Sequence, residues 1–329
     1  MDFTSIVGHE DIIKHFKVSI ETDRVSHAYL ICGEEKSGRL TLANIFAKTL
    51  QCEKGGIDPC NTCKSCIQAE TDNHPDIIYI DHEKGKQLSV KTVREQIIDT
   101  VNIKPYSSRY KIYIVKNAQD MNQEAQNALL KTIEEPPEYV IIILLATSAD
   151  RFLPTVLSRC MVLNLKPVRD EEVKEYLKEH MDLDEEKARL CASYAMGNLG
   201  KAINVASNKD YRMLIQSVIN LMINIFDMPM DEVSDAIQEA VNYSVSINDY
   251  LDLMNIWYRD ILVLKVSGNP DRIIFKDNYS DIKKQSLYLS FNELEDKTRA
   301  LENAKIRINA NARMEDVMRL LILTLKENK

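Results

Sequence analysis

Four cysteines stand at 52, 60, 63 and 66, in the stretch CEKGGIDPCNTCKSC. Thiolates spaced C-x7-C-x2-C-x2-C suit a tetrahedral zinc ion, because paired x2 steps let a short loop wrap one metal. Gly55, Gly56 and Pro59 supply the turns that wrapping needs. Together Cys52, Cys60, Cys63 and Cys66 would close the coordination sphere, leaving no position for water, so such a site is structural and not catalytic. An iron–sulfur cluster and a redox CxxC are the other chemistries open to these residues. His74 could compete as a ligand, but in NHPD it reads better as the residue that orders the loop before the next strand.

The second group with chemical potential is GEEKSGRLT, residues 33–41. Gly33 and Gly38 follow an apolar strand-like run and precede a helical pattern, the setting of a loop that cradles phosphate with backbone N–H groups at a helix N-terminus. In such a loop a Lys bridges the outer phosphates and a Ser or Thr hydroxyl binds magnesium. Arg39 takes the Lys place, with a planar fork where a compact ammonium belongs. Leu40 takes the hydroxyl place and has no metal ligand to offer. Thr41 stands one residue late, about 100° further round the helix.

An ATPase of this kind also needs an Asp–Glu pair at the end of a strand. In KIYIVKNAQDMN, Lys116 and Asn117 hold those positions. An ammonium repels a metal, and an amide is a far weaker base than a carboxylate. Asp120 reads as an ordinary loop acid. The architecture of a nucleotide site is present without its hydrolytic chemistry. Empty, anion-filled and nucleotide-filled forms of the loop all remain compatible with the residues.

The elements that must position these groups alternate in the first half of the chain. HAYLIC (27–32), DIIYI (76–80), KIYIVK (111–116) and VIIILLAT (140–147) read as strands, and MVLNLKPV as the last one. LTLANIFAKTL, SVKTVREQIIDTVNI and NQEAQNALLKTIEE read as helices. Nearly all-apolar strands alternating with helices imply a parallel sheet covered on both faces, so the first half is α/β. Beyond Arg169 only helical patterns occur, and their Met, Ile and Leu stripes, with Trp257 and Tyr258 among them, read as core. Breaks at KPVRD and SNKDY predict domains at 1–167, 168–208 and 209–329, with the zinc module at 52–66 inserted in the first.

Of 329 residues, 42 are Lys or Arg and 50 are Asp or Glu, a net charge of −8. Nucleic-acid binding draws most of its affinity from cationic contacts to phosphate, so an acidic chain that works on DNA is expected to work beside more basic partners. No run of about eighteen apolar residues crosses a membrane. The N-terminus has no apolar signal segment, and seven cysteines, four of them clustered, argue against a disulfide scaffold. A cytoplasmic location is the expectation.

The order of VGHEDIIKHFKVSIETDRVSHAYLICGEEKSGRLTLANIFAKTLQC, the cysteine cluster, NALLKTIEEPPEYVIIILLAT and LPTVLSRC resembles bacterial clamp-loader subunits of the AAA+ class. The resemblance covers roughly the first half of the chain; beyond it only INANARMEDVMRLLILTL and the helical character agree. Its departures point to the delta-prime type and away from the ATP-hydrolysing gamma/tau type. The resemblance implies an AAA+ domain with a zinc insertion, a small helical lid and a helical collar. It also implies a hetero-pentamer with gamma/tau and delta subunits that loads a sliding clamp on primed DNA, as part of the DNA polymerase III holoenzyme. In that family the SRC motif, here Ser158, Arg159 and Cys160, supplies an arginine finger to a neighbour's ATP. Thr147 matches the first sensor. Gly200 stands where a hydrolysing relative carries Arg, with Lys201 displaced by one. Retained Gly33, Gly38 and Thr147 leave an active gamma/tau-like ATPase as the alternative. A zinc-containing adaptor unrelated to replication would explain the cysteines but neither SRC nor EEPPEY.

Overall fold

In the computed structural model, residues 1–82, 87–229, 232, 247–310 and 312–327 are described. Positions 230, 231, 233–246, 311, 328 and 329 of the expected collar lie outside them. The described residues form two compact units. The first comprises Met1–Tyr176 with Met196–Lys201, and the second Leu177–Ala195 with Ala202–Lys329.

The first unit is built on five parallel strands: β1 (Ala28–Cys32), β2 (Ile77–Ile80), β3 (Lys111–Val115), β4 (Val140–Ala146) and β5 (Met161–Asn164). Their order is β2–β3–β4–β1–β5. The register pairs Ala28 with Ile142, Tyr29 with Met161, Ile77 with Ile112 and Lys111 with Val140. All seven residues of β4 are buried, which is why its sequence is an unbroken apolar run. Side chains alternate between two cores: Tyr29, Ile31, Ile141 and Ile143 enter one, while Leu30, Ile142 and Leu144 enter the other. The first core is completed by α1 (Glu10–Glu21) and α2 (Arg39–Leu50), and the second by α4 (Val90–Val93) and α5 (Gln123–Glu134). Helix α3 (Lys64–Glu70) belongs to the cysteine module.

The expected helix over SVKTVREQIIDTVNI is α-helical only at its start. From Arg94 to Ile98 it widens into a π-helical turn, with Asp99 N–H donating to the Arg94 carbonyl. Val93, Ile97 and Val101 are all buried, and their four-residue spacing exceeds an α-turn. The wider turn keeps all three in the same core.

Further on come α6 (Pro154–Leu157), α7 (Asp170–Met181), α8 (Glu185–Ala195) and α9 (Leu199–Ser207). The second unit continues with α10 (Lys209–Asn224), α11 (Ile247–Ser267), α12 (Tyr279–Tyr288), α13 (Phe291–Asn309) and α14 (Met314–Lys326). Trp257 and Tyr258 lie in its core, as their helical spacing predicts. The indole N–H of Trp257 donates to Gln285, whose own amide donates to the Met222 carbonyl, so both are satisfied, while the Tyr258 hydroxyl is buried without a partner. Among the described residues no helix is long and apolar enough to cross a membrane.

Candidate functional site

Strand β1 lies between β4 and β5, and its C-terminal end delivers the loop 33–38 to the rim of the sheet. Gly38 caps α2 with φ of +92°, a conformation that favours glycine. Gly33 is needed for closeness: a Cβ there would stand 2.7 Å from Ser37 Oγ and 3.0 Å from Leu165 Cβ. The loop bonds to itself, with Ser37 N–H donating to the Glu34 carbonyl at 3.2 Å. Ser37 Oγ and Arg39 Nη1 are both buried without a hydrogen-bond partner. Burial pushes the Arg39 guanidinium below its ordinary value, with Glu35 acting in the opposite direction. Leu40 and Thr41 face solvent.

The segment 196–201 closes over this loop. Asn198, itself buried, donates from Nδ2 to the Glu35 carbonyl at 2.9 Å and to Glu34 Oε2 at 3.4 Å. Lys201 Nζ pairs with Glu34 Oε2 at 3.2 Å. A Cβ at Gly200 would overlap the Lys36 carbonyl oxygen, so no larger side chain fits there beside the loop as it stands. Sequence reading singled out Gly200 and Lys201 but missed Asn198. The available signal was a helix start: Asn198 Oδ1 accepts the N–H of Lys201 three residues on. His9 was also missed; burial holds its imidazole below the ordinary value, with Glu10 and a bond to the Ser37 backbone opposing.

At the rim beyond β3, Lys116 Nζ pairs with Asp81 Oδ2 at 3.1 Å, and Asn117 adopts φ of +48°. Asp120 accepts from or pairs with His82 Nε2 at 3.1 Å. Thr147, just past β4, donates its backbone N–H to Gln119 Oε1 at 3.3 Å. Lys116, Asp120 and the Thr147 N–H thus each have a partner within their own chain.

Arg159 follows α6. Its Nε lies 2.9 Å from Glu134 Oε1, and its Nη1 donates to the Thr155 carbonyl at 2.9 Å and to Ser158 Oγ at 3.1 Å. Its pairing with a nearby carboxylate is the interaction an isolated arginine at this position favours.

The four cysteines converge as their spacing requires. The Sγ atoms of Cys52, Cys60, Cys63 and Cys66 all lie within 4.8 Å of one another, and none is in a disulfide. Cys60 and Cys66 Sγ are 3.9 Å apart, close to the edge of a tetrahedron with metal–sulfur bonds of about 2.3 Å. Backbone N–H groups of Cys60, Cys63 and Cys66 donate to the sulfurs of Cys52, Cys60 and Cys63. Hydrogen bonds from Thr62 bring the Cys60 thiol down to about 5, while burial raises that of Cys66. Four sulfurs this close, bonded by N–H donors and wrapped by one loop, fit a metal ion as ligands. His74 stays outside the group: its Nε2 bonds Ser65 Oγ at 3.0 Å and its Nδ1 accepts from Asp76 N–H at 3.1 Å.

A parallel sheet in this strand order, covered by helices and carrying a glycine loop after β1, is the architecture expected of the AAA+ class. A model of the family described as "DNA polymerase III, delta subunit" matches residues 8–169. The DNA polymerase III subunit delta' of Bacillus subtilis (strain 168) is 30% identical over 325 residues, 96% of this chain and 95% of that one. The DNA polymerase III subunit gamma of Buchnera aphidicola subsp. Acyrthosiphon pisum is 34% identical over 209 residues, covering 62% of this chain and 57% of that one. A gamma subunit-related DNA polymerase III protein of Thermotoga maritima has a solved structure with a TM-score of 0.48 at 20% identity, over 95% of this chain and 98% of that one. The chain belongs to the delta-prime family of DNA polymerase III clamp-loader subunits.

Proposed function

We propose that this chain is a non-hydrolysing clamp-loader subunit that helps place a sliding clamp on primed DNA and lends Arg159 to the ATP site of a neighbouring subunit. Its partners are gamma/tau and delta subunits in a hetero-pentamer. The lid is assigned to 168–208 and the collar that holds the subunits together to 209–329. The cysteine cluster binds zinc, which supplies a fixed cross-link for the insertion at 52–66 and no chemistry.

One observation carries the non-hydrolysing reading: the nucleotide loop is engaged by its own chain. Leu40 offers no ligand, Lys116 is paired with Asp81, and segment 196–201 is pinned to Glu34 and Glu35. Two carboxylates, at positions 34 and 35, also oppose a polyphosphate. Isothermal calorimetry of the pure chain with Mg–ATP, with phosphate release followed in the same sample, tests it. We expect no turnover. Steady hydrolysis that Arg39→Ala abolishes would overturn the reading in favour of an active ATPase.

The finger reading has a physical basis. A guanidinium beside a transferring phosphoryl group stabilises its charge, an effect of roughly 10³–10⁵ in rate. Arg159 sits in a short exposed turn from which it can reach outward.

A further inference from the structure

We infer that Glu134 is the positioning residue of the arginine finger, an inference that rests on reading Arg159 as that finger. Glu134 is the last residue of α5, where the helix dipole disfavours a carboxylate. Its side chain is 43% exposed and that of Arg159 39%, and exposed ion pairs contribute little to stability. Helix propensity and fold stability therefore give weak reasons for an acid here. What the carboxylate does is hold the guanidinium in place.

The geometry of that hold is specific. Glu134 Oε1 stands 2.9 Å from Nε as an ion pair, and the Thr155 carbonyl and Ser158 Oγ accept from Nη1. Nη2 has no hydrogen bond among the described residues. A guanidinium is rigid and planar, so fixing two of its nitrogens fixes where the third points. The free Nη2 is the group left to meet a phosphate oxygen.

The two sides of the pair are themselves held together. Gln126, buried on α5, accepts from Leu153 N–H at 2.8 Å and donates to the Arg151 carbonyl at 3.0 Å. It ties the entry of α6 to α5, so Glu134 and Arg159 are carried on elements of fixed separation. Pre-orientation of this kind acts on kcat, because it spares the transition state the freezing of a flexible side chain.

The test uses the reconstituted clamp loader, with the finger arginines of its hydrolysing subunits changed to alanine so that turnover reports the site beside this chain. Arg159→Ala is expected to lower kcat by about 10³ or more. Glu134→Ala is expected to lower it roughly ten- to a hundredfold with KM for ATP within about twofold, unchanged assembly on gel filtration and unchanged melting temperature. Glu134→Asp keeps the charge of the pair and is expected to recover part of the loss. Glu134→Ala in the Arg159→Ala background is expected to add nothing. Wild-type turnover in Glu134→Ala beside a dead Arg159→Ala would overturn the positioning role and leave the finger intact. Raised turnover in Glu134→Ala would also overturn it, because the carboxylate would then be a restraint. A silent Arg159→Ala would remove the finger and the positioning role together.

Discussion

Cys66 is fully buried at the start of α3, and three other sulfurs converge on it. Among the described residues its hydrophobic cluster consists of the other three cysteines. We propose ligation as the reason for the residue. Cys66→Ser replaces a thiolate by a hydroxyl that binds zinc poorly, and metal lost from a folded site is folding free energy lost. We expect about one equivalent of zinc in the purified chain and much less in the variant. The expected destabilisation is about 3 kcal/mol, a fall in melting temperature of roughly 6–12 °C for a domain of this size. A chelator added to the unaltered protein should reproduce that shift. An unchanged melting temperature in both experiments would mean that the cysteines carry no metal that matters to the fold. This site was legible in the sequence because its ligands lie within one short loop. The partner of Arg159 was not: Glu134 stands 25 positions earlier, and nothing in EEPPEY distinguishes the first Glu from the second until α5 ends at it.

At the scale of elements, the cysteine module is fastened to the α/β core through a charge pair. Lys48, buried on α2, donates to Glu70 at the end of α3 and to the Met1 carbonyl. The bond from Lys48 is the largest influence holding the Glu70 carboxyl below its ordinary 4.5. A carboxyl lowered in the folded state contributes stability that is complete above its unfolded value and is lost as pH falls through the folded value. Glu70 is nearly half exposed, so solvent screening keeps the contribution to about 1 kcal/mol or less. Urea titrations should therefore find Glu70→Gln less stable than the unaltered chain by that amount near neutral pH, with the gap closing as pH falls below the ordinary 4.5. A gap that persists in acid would assign the loss to packing. Elements of this kind were largely readable: β1, β3 and β4 announced themselves as apolar runs because they are buried along their whole length, and β2 and β5 by their β-branched and apolar residues. The π-helical turn at Arg94–Ile98 was not, since its cause is the pull of one core on Val93, Ile97 and Val101 together. Closure of the glycine loop was legible only in part. GEEKSGRLT declares the loss of the metal ligand, but the obstruction at Gly200 comes from a backbone oxygen 164 residues away.

For the molecule as a whole, the balance of charge decides what it can do alone. A net charge of −8 gives a long-range field that repels a polyanion, and contacts to phosphate must be made against it. Affinity for DNA comes chiefly from counterions released by cationic side chains, and it falls steeply with salt. A subunit with the proposed part, holding a ring together and presenting one arginine to a neighbour, has no need of that affinity. We therefore expect the isolated chain to give no saturable binding to a fluorescent primer–template up to roughly 10 µM at physiological salt, about 0.15 M. The same DNA should be bound once the chain is assembled with its gamma/tau and delta partners. Binding by the chain alone at or below about 1 µM, with an affinity that drops several-fold on doubling the salt, would show a local cationic surface strong enough to outweigh the total. DNA contact would then be a direct activity of this subunit, and its place in the loader would extend beyond scaffold and finger.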